Sequence, residues 1–254
     1  MSILSKIEKP KDRAIICTIL GDAGMGKTSL AATFPKPVFI RAEDGLQGVP
    51  ENQRPDALPL LKSVDGLWEQ LTALIKEEHN YKTVVIDSIT KLESMFIDYV
   101  VNNDPKNPKS IVQANGGYGA GREAVGALHS RVRNAAQALN DKGVHVVFIA
   151  HAETVTIEPP DGDSYTRYDL RLHKRSVSPY TDNVDLVGYL KLQTFLTGDE
   201  DKKKAKTDGS RVLTCHPEPS CVSKNRYNIE KPITVKRGEN PLSQYVKTLN
   251  TKEK

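Results

Sequence analysis

The chain has 254 residues, of which 27% are charged and 6% aromatic, and its formal net charge is +4. This length allows one sizeable α/β domain, and the mild positive charge permits nucleic-acid binding without requiring it. No apolar run approaches the roughly 18 residues of a membrane span, and the first one leads into a glycine loop, which favours a strand over a signal peptide. The three cysteines are typical of reduced thiols, so we expect a cytoplasmic protein with no membrane partner.

The first part of the chain alternates short apolar strands with amphipathic helices. Strands are predicted at residues 14–20, 38–40, 83–87 and 144–150, helices at 28–33, 65–78, 89–101 and 122–141, and loops at 48–62 and 102–119. This alternation indicates a parallel sheet with helices on both faces. The fourth strand is expected to end at His151.

The last hundred residues are more polar and no longer alternate strands with helices. A polar stretch at residues 154–181 precedes predicted strands at 184–196 and 211–215, with a solvated charged tip at 199–204 between them. A short helix is expected at 242–249, and no internal repeat or domain boundary is evident. Cys215, His216 and Cys221 lie close together, but their spacing fits no common zinc pattern.

Residues 21–28 match the phosphate-binding pattern G-x-x-x-x-G-K-[ST], between a predicted strand and a predicted helix. In such a loop backbone N–H groups cradle phosphate oxygens, Lys27 neutralises the β/γ-phosphates, and the Thr28 hydroxyl binds Mg²⁺. The alternative is a glycine turn with an incidental lysine. The candidate nucleotide-binding residues are Gly21, Asp22, Ala23, Gly24, Met25, Gly26, Lys27, Thr28 and Ser29.

Two carboxylates follow predicted strands whose carboxyl ends should meet beside this loop. Asp87 suits a second Mg²⁺ contact, although it could instead cap the next helix, a role that Ser88 could also fill. Glu43 could orient or deprotonate the attacking water. Asp44 competes with it for that role, and spacing alone does not separate the two from an ordinary loop acid.

Polar side chains at two further positions in the sequence could contact the phosphates. His151 ends a predicted strand and is either a γ-phosphate contact or a histidine bonded to backbone. Lys224 and Arg226 form a compact basic pair, which is either a solvated face or a cationic finger that reaches a nucleotide on a neighbouring subunit.

Together these segments resemble the core of the RecA recombinase family, over about residues 14–237. The motifs are the phosphate loop, residues 38–43, residues 84–88, the long helix and strand leading to His151, and residues 224–226. More narrowly, residues 117–121 and 224–226 are similar to those of the short phage-encoded RecA-like ATPases that act as single-strand annealing proteins. The resemblance implies one RecA-like domain over residues 1–254, with a mostly parallel α/β sheet and a C-terminal antiparallel hairpin.

The resemblance also implies roles for single residues. Glu43 stands at the position of the family's catalytic carboxylate, which favours it over Asp44, and Asp87 matches the second Mg²⁺ element. His151 stands where the family has a γ-phosphate sensor, usually a glutamine. Lys224 and Arg226 match the pair that contacts ATP across the subunit interface, which implies assembly into filaments or rings.

The family binds single-stranded DNA through two mobile loops, which would here be residues 102–118 and 155–182. Cations with interleaved aromatics suit phosphate contact and base stacking. The candidate DNA contacts are Lys106, Lys109, Tyr118, Arg167, Arg171, Lys174 and Arg175. The short segments outside the core favour a minimal annealing protein over a strand-exchange recombinase.

The leading hypothesis is therefore an ATP- and Mg²⁺-dependent ATPase that binds single-stranded DNA in phage recombination. Its expected partners are single-stranded DNA, further copies of itself and a single-strand-binding protein. The alternatives are a DNA motor or loader of the hexameric helicase kind and a P-loop phosphotransferase that acts on a small molecule.

Overall fold

In the computed structural model, which describes residues 3–197 and 204–250, a ten-stranded sheet runs in the order β10-β8-β7-β1-β5-β4-β2-β3, with β6 paired to β5 and β9 to β7. The strands are β1 (Ile16–Gly21), β2 (Pro37–Arg41), β3 (Asp56–Ala57), β4 (Thr83–Asp87), β5 (His145–Ile157), β6 (Tyr165–Leu170), β7 (Leu186–Thr197), β8 (Lys204–Thr214), β9 (Lys224–Asn225) and β10 (Ile233–Val235). Strands β1, β2 and β4 are almost entirely buried, as expected of strands covered on both faces.

The central part of this sheet is parallel and its C-terminal edge is antiparallel. β1 pairs in parallel with β5 and β7, and β4 pairs in parallel with β5 and β2. β8 runs antiparallel to both β7 and β10. The predicted fold class, a mostly parallel sheet with an antiparallel C-terminal extension, is confirmed.

Helices cover both faces of the sheet, as the alternation predicts. They are α1 (Lys27–Ala31), α2 (Val64–Lys76), α3 (Ile89–Asn102), α4 (Ala120–Asp141) and α5 (Ser178–Thr181). The apolar sides of α2, α3 and α4 share one core cluster, while α1 and the C-terminal turns contribute to a second one. None of the described helices combines the length and apolar character that a bilayer span requires.

The structure differs from the sequence-based prediction at several places, and its described part contains four strands that were not predicted, β3, β6, β9 and β10. β5 does not end at His151 but continues to Ile157, because the β-forming residues after His151 pair antiparallel with β6. The segment expected to be a mobile second loop is therefore largely a hairpin followed by α5. The expected helix at 242–249 is two 3-10 turns, Pro241–Gln244 and Lys247–Leu249. The charged tip lies outside the described residues, apart from Lys204.

A glycine in the middle of α4 allows the chain after this hairpin to pack closely. A Cβ atom on Gly126 would lie 2.8 Å from the carbonyl oxygen of Arg175, which is closer than real Cβ atoms approach backbone. The buried residues Leu172 and Ser176 belong to the same segment. Gly126 therefore sets the distance between α4 and the segment that carries candidate DNA contacts.

We expect Gly126→Ala to lower the free energy of unfolding by about 1–3 kcal/mol, because the methyl group must displace backbone. A matched control is Gly66→Ala in α2, where the new Cβ would meet Ser63 Oγ at 3.4 Å, an ordinary contact. That change should raise stability, by up to about 1 kcal/mol. Urea unfolding measures both, and a Gly126→Ala variant as stable as Gly66→Ala would contradict the close approach.

A candidate nucleotide-binding cleft

A cleft of about 830 Å³ opens at the carboxyl ends of the parallel strands. The loop after β1 and the first turn of α1 form its floor. Glu43, Asp87 and His151 line it from one side, and Arg211 with residues 235–239 from the other. The structure therefore brings the phosphate-loop residues, both candidate carboxylates and the candidate sensor into one cleft.

The phosphate loop has the backbone that its glycines allow. Gly24 and Gly26 have φ angles of +77° and +89°, and α1 begins directly afterwards at Lys27. Lys27 is 6% exposed, and its ammonium donates to the carbonyl oxygens of Gly21 and Asp22, each at 2.9 Å. Burial lowers the pKa of Lys27, while the charges of Asp87 and Glu43 oppose that shift.

Thr28 and Asp87 form a pair of oxygen ligands suited to Mg²⁺. The Thr28 hydroxyl donates to Oδ2 of Asp87 at 2.8 Å, close to the roughly 3 Å between neighbouring ligands of an octahedral magnesium site. A Cβ on Gly45 would lie 3.2 Å from the Thr28 hydroxyl oxygen and 3.3 Å from Oδ2 of Asp87, so glycine leaves space beside both. The residues present therefore fit the cation.

Asp87 is not the cap of α3. The Ser88 hydroxyl accepts from the backbone N–H of Lys91 and fills that role. This leaves the Asp87 side chain directed at Thr28. Burial raises the pKa of Asp87 to about 6, although the hydrogen bond from Thr28 acts in the opposite direction.

Glu43 lies against His151 across the mouth of the cleft. Nε2 of His151 is 3.2 Å from Oε1 of Glu43. This hydrogen bond is the main cause that lowers the pKa of Glu43 to about 2, with a further contribution from Ser88. Asp44 instead pairs with Arg41 at 3.1 Å and is exposed. Of the two acids, Glu43 alone is held in contact with another candidate group.

The backbone of His151 is hydrogen-bonded through both its N–H and its carbonyl oxygen. Its N–H donates to the Thr90 hydroxyl at 2.9 Å, and its carbonyl oxygen accepts from the N–H of Arg171 at 2.9 Å. The second bond belongs to the ladder that continues into the β5–β6 hairpin. His151 is therefore both a strand residue bonded to backbone and a cleft residue in contact with Glu43.

Lys224 and Arg226 lie outside this cleft in the single chain. The Lys224 ammonium donates to the carbonyl oxygens of Thr181 and Asp182, the latter at 2.6 Å. Arg226 pairs with the buried carboxylate of Asp185 at 3.1 Å, while its side chain stays 54% exposed. The structure thus holds both cations along one surface beside β7.

The candidate DNA contacts divide into groups with different surroundings. Arg167 pairs with Asp169 at 2.7 Å, so its charge is largely compensated. Arg175 donates to the Gly119 carbonyl oxygen at 2.8 Å and thereby lies beside the fully exposed Tyr118. Lys106, Lys109, Arg171 and Lys174 are exposed.

Three lining cations were missed in the sequence-based prediction: Arg211, Lys236 and Arg237. Arg211 belongs to β8, and the other two follow β10. No local motif marks them, because the antiparallel return of the chain brings them to the loop. The only available signal was the density of cations in the last strands.

Comparison with known proteins agrees with this geometry. A protein-family profile described as an AAA domain matches residues 13–227. The chain belongs to this family. The match begins just before β1 and ends just after Arg226, so it includes the phosphate loop, both carboxylates and the basic pair.

One curated protein is similar in sequence to this chain. The SPbeta prophage-derived uncharacterized protein YorG of Bacillus subtilis (strain 168) is 29% identical over 195 residues, which are 76% of this chain and 54% of that protein. The chain thus spans about half the length of that relative.

Among solved structures, the RadB recombinase superposes with a TM-score of 0.50 at 13% identity, covering 89% of this chain and 90% of that one. A KaiC-like protein of Pyrococcus horikoshii OT3 reaches a TM-score of 0.47 at 14% identity, covering 90% of this chain and 88% of that one. The fold of this member of the AAA-domain family is that of a RecA-like P-loop ATPase.

Replacing Asp87 with Asn should stabilise the protein at neutral pH in the presence of a chelator. The folded-state pKa of about 6 lies above the ordinary value of 3.8, so stability is lost as pH rises from 4 through 6 and stays lost above it. At about 1.4 kcal/mol per pH unit between the two values, Asn should add roughly 2–3 kcal/mol at pH 8 and little at pH 4. Equal gains in the free energy of unfolding at both pH values would contradict this origin.

Proposed function

We propose that this protein is a magnesium-dependent ATPase that binds single-stranded DNA in phage recombination and anneals complementary strands. In this proposal ATP binds in the cleft of one subunit, and cations of the next subunit complete the binding site. The subunits therefore assemble into filaments or rings. Single-stranded DNA lies on the surface that carries Tyr118 and Arg175. A single-strand-binding protein supplies the coated substrate.

The cleft has the groups that phosphate-ester hydrolysis needs. The Lys27 ammonium exchanges its two carbonyl acceptors for phosphate oxygens, and Thr28 with Asp87 holds Mg²⁺, which neutralises charge on the phosphates when bound. Glu43, ionised because of its low pKa, accepts a hydrogen bond from the attacking water and orients it. His151 keeps the Glu43 carboxylate in position.

The observation that carries the DNA-binding part of the proposal is the unbroken passage of β5 from the cleft into the hairpin with β6. His151 touches Glu43 with its side chain and Arg171 with its backbone. The positive charge of Arg171 also contributes to the lowered pKa of Lys27, so this arginine lies near the phosphate site. A change at the γ-phosphate therefore has a short covalent and hydrogen-bonded route to the hairpin.

The segment after the hairpin is fastened to the helices beneath it by one buried acid. Glu93 of α3 accepts from the N–H of His173 at 3.3 Å and contacts Arg122 and His129, each at 3.5 Å. Two residues further on, Arg175 reaches the Gly119 carbonyl oxygen. The two proposed DNA-contacting segments, which carry Gly119 and Arg175, are thus bonded to each other, and both are bonded to the helices.

The joined surface has the chemistry of a single-strand site. Tyr118 is fully exposed, with a φ angle of +51° among glycines of positive φ. Exposed cations lie on the adjoining segment at Arg171, Lys174 and Arg175. Arg175 also pairs with the exposed Glu123 at 3.9 Å, so part of its charge is compensated. An exposed aromatic ring beside exposed cations favours base stacking with phosphate contact.

Assembly would change the partners of Arg226. In the single chain Asp185 accepts from Arg226 and also from Arg13, at 3.1 and 3.0 Å, and from the backbone N–H of Ile16. When Arg226 turns towards a neighbour's ATP, Arg13 and Ile16 still satisfy Asp185. The release of Arg226 therefore leaves no buried carboxylate unpaired, which keeps its cost low.

The relatives support the setting of the proposal. The Bacillus subtilis relative is prophage-derived, and the structural neighbour with a TM-score of 0.50 is a recombinase. A phage recombination protein accounts for both.

DNA binding tests the proposal directly. The affinity for a labelled single-stranded oligonucleotide, measured by fluorescence anisotropy, should rise when a non-hydrolysable ATP analogue and Mg²⁺ are added. Tyr118→Ala should weaken binding roughly 5- to 150-fold, the value of one base stacked on an aromatic ring. Tyr245→Ala, which removes an exposed tyrosine from a C-terminal turn, is the control. An affinity that does not change with the analogue would refute the proposal.

The proposed contact of Arg226 with ATP on a neighbouring subunit has its own test. Arg226→Ala should lower steady-state ATP hydrolysis at least about 10³-fold, the contribution of an arginine finger, while ATP binding through Lys27 is largely retained. Arg13→Ala is a matched control, because Arg13 contacts the same Asp185 oxygen and is 53% exposed against 54% for Arg226. Similar hydrolysis by the two variants would show that Arg226 acts only as a partner of Asp185.

A further inference from the structure

Most charged side chains of the cleft are separated into two ends. Its lining contains the acids Glu43, Asp44, Asp87 and Glu239 and the cations Lys27, Arg211, Lys236 and Arg237. Three of the acids lie at the end of β4 or just after β2, on one side of the loop after β1, whereas Glu239 lies in the turn after β10. Apart from Lys27, the cations belong to β8 and to the turn after β10, on the opposite side of the loop in the strand order.

Arg211 reaches the phosphate loop itself. A Cβ on Gly26 would lie 3.0 Å from Nη1 of Arg211, 3.4 Å from Cζ and 3.8 Å from Nε. The guanidinium group therefore lies directly over Gly26. Glycine at this position allows both the φ angle of +89° and the close approach of the arginine.

No acid in the described part of the chain pairs with this guanidinium group. Among the described residues, Arg211 forms no ion pair and no side-chain hydrogen bond. The backbone holds the residue firmly, because Arg211 pairs with Leu192 of β7 and with Val235 of β10. An uncompensated arginine, held on a strand and aimed into an anion-binding cleft, is suited to bind a phosphate.

We propose that Arg211 binds the nucleotide within the same subunit, at the α-phosphate and ribose end, with Lys236 and Arg237 continuing the cationic wall. The inference rests on the proposed ATPase function. Thr28, Asp87 and Glu43 place the terminal phosphate on the β4 and β2 side of the loop. A nucleotide that crosses the loop from there extends its α-phosphate and ribose towards β8.

This assignment gives the cleft a means to distinguish nucleotides from shorter phosphate anions. Pyrophosphate fills only the positions of the β- and γ-phosphates and does not extend to Arg211. ATP and ADP both carry the α-phosphate and ribose, so both gain the contact. Arg211 thus serves affinity for the nucleotide and is separate from the groups that cleave it.

The test is titration calorimetry of ATP, ADP and pyrophosphate, each with Mg²⁺, on the full chain. Arg211→Ala should weaken the binding of ATP and of ADP by a similar factor, roughly 10- to 100-fold. The binding of pyrophosphate should weaken by less than about twofold. Arg211→Lys, which keeps the charge but loses the planar fork, should fall between. Lys206→Ala is the control, an exposed cation on β8 outside the cleft lining, and should bind all three ligands like the unchanged protein.

Three outcomes overturn the assignment. Unchanged ATP and ADP affinity would show that Arg211 does not touch the nucleotide. Weaker binding of ATP alone would place Arg211 at the γ-phosphate. An equal loss of pyrophosphate affinity would place Arg211 at the β- and γ-phosphates. If Arg211→Ala does not fold, Arg211→Gln, which keeps the stem of the side chain, replaces it.

The proposed ATPase function fails separately from this inference. If the unchanged protein binds neither ATP nor ADP, or binds them as well after Lys27→Ala, then the ATPase proposal itself is refuted. If Lys27→Ala abolishes nucleotide binding and Arg211→Ala does not weaken it, only the role of Arg211 is lost.

Discussion

The parallel register among β1, β5, β4 and β2 holds the groups of the cleft together. Gly21 at the start of the phosphate loop lies opposite His151, Asp87 lies opposite Ile149, and Arg41, two residues before Glu43, lies opposite Asp87. Strand ends that match within about two residues, at roughly 3.3 Å per residue, bring four distant chain segments to one edge. If β4 or β5 slipped by one residue in register, the side chain of Asp87 or His151 would move to the other face of the sheet. The burial of these strands on both faces opposes such a slip.

The two carboxylates of this edge differ in pKa because their surroundings differ. Asp87 is 3% exposed and has a raised pKa, so its charge is costly until a cation offsets the burial. Glu43 is only partly buried and bonded to His151, and it stays ionised well below neutral pH. In the proposed function, the same cleft contains one acid whose ionisation metal binding would favour and one whose pKa already lies far below neutral pH. Ionised Glu43 is a weak base, so orientation of water is the role that its low pKa favours.

Six of the ten described strands, the large helices and the phosphate loop could be predicted from sequence because their signals are local. Apolar runs bounded by glycine, helical periodicity and the G-x-x-x-x-G-K-T pattern each lie within about twenty residues. The continuation of β5 past His151 was missed because residues 154–157 are half exposed and depend on pairing with β6. Arg211 and the Asp185 partner of Arg226 were not predictable, since each contact joins residues that are far apart in sequence. The assigned roles of Glu43, Asp87, His151, Lys224 and Arg226 remain predictions.

The sheet divides the chemistry of the cleft between its two halves. In the proposed function, the parallel half supplies the loop, the magnesium ligands and the water-orienting acid, all of which would act at the terminal phosphate. The antiparallel half begins with the return of β8 and carries the remaining cations, with Arg211 aimed at its own subunit's loop and Arg226 exposed at the surface. A magnesium nucleotide carries its charge along the phosphate chain, which in these proposals contacts both halves of the sheet. If both proposals hold, the C-terminal strands complete the nucleotide site as well as extend the sheet: Arg211 acts within its own subunit, and Arg226 acts on the nucleotide of a neighbour.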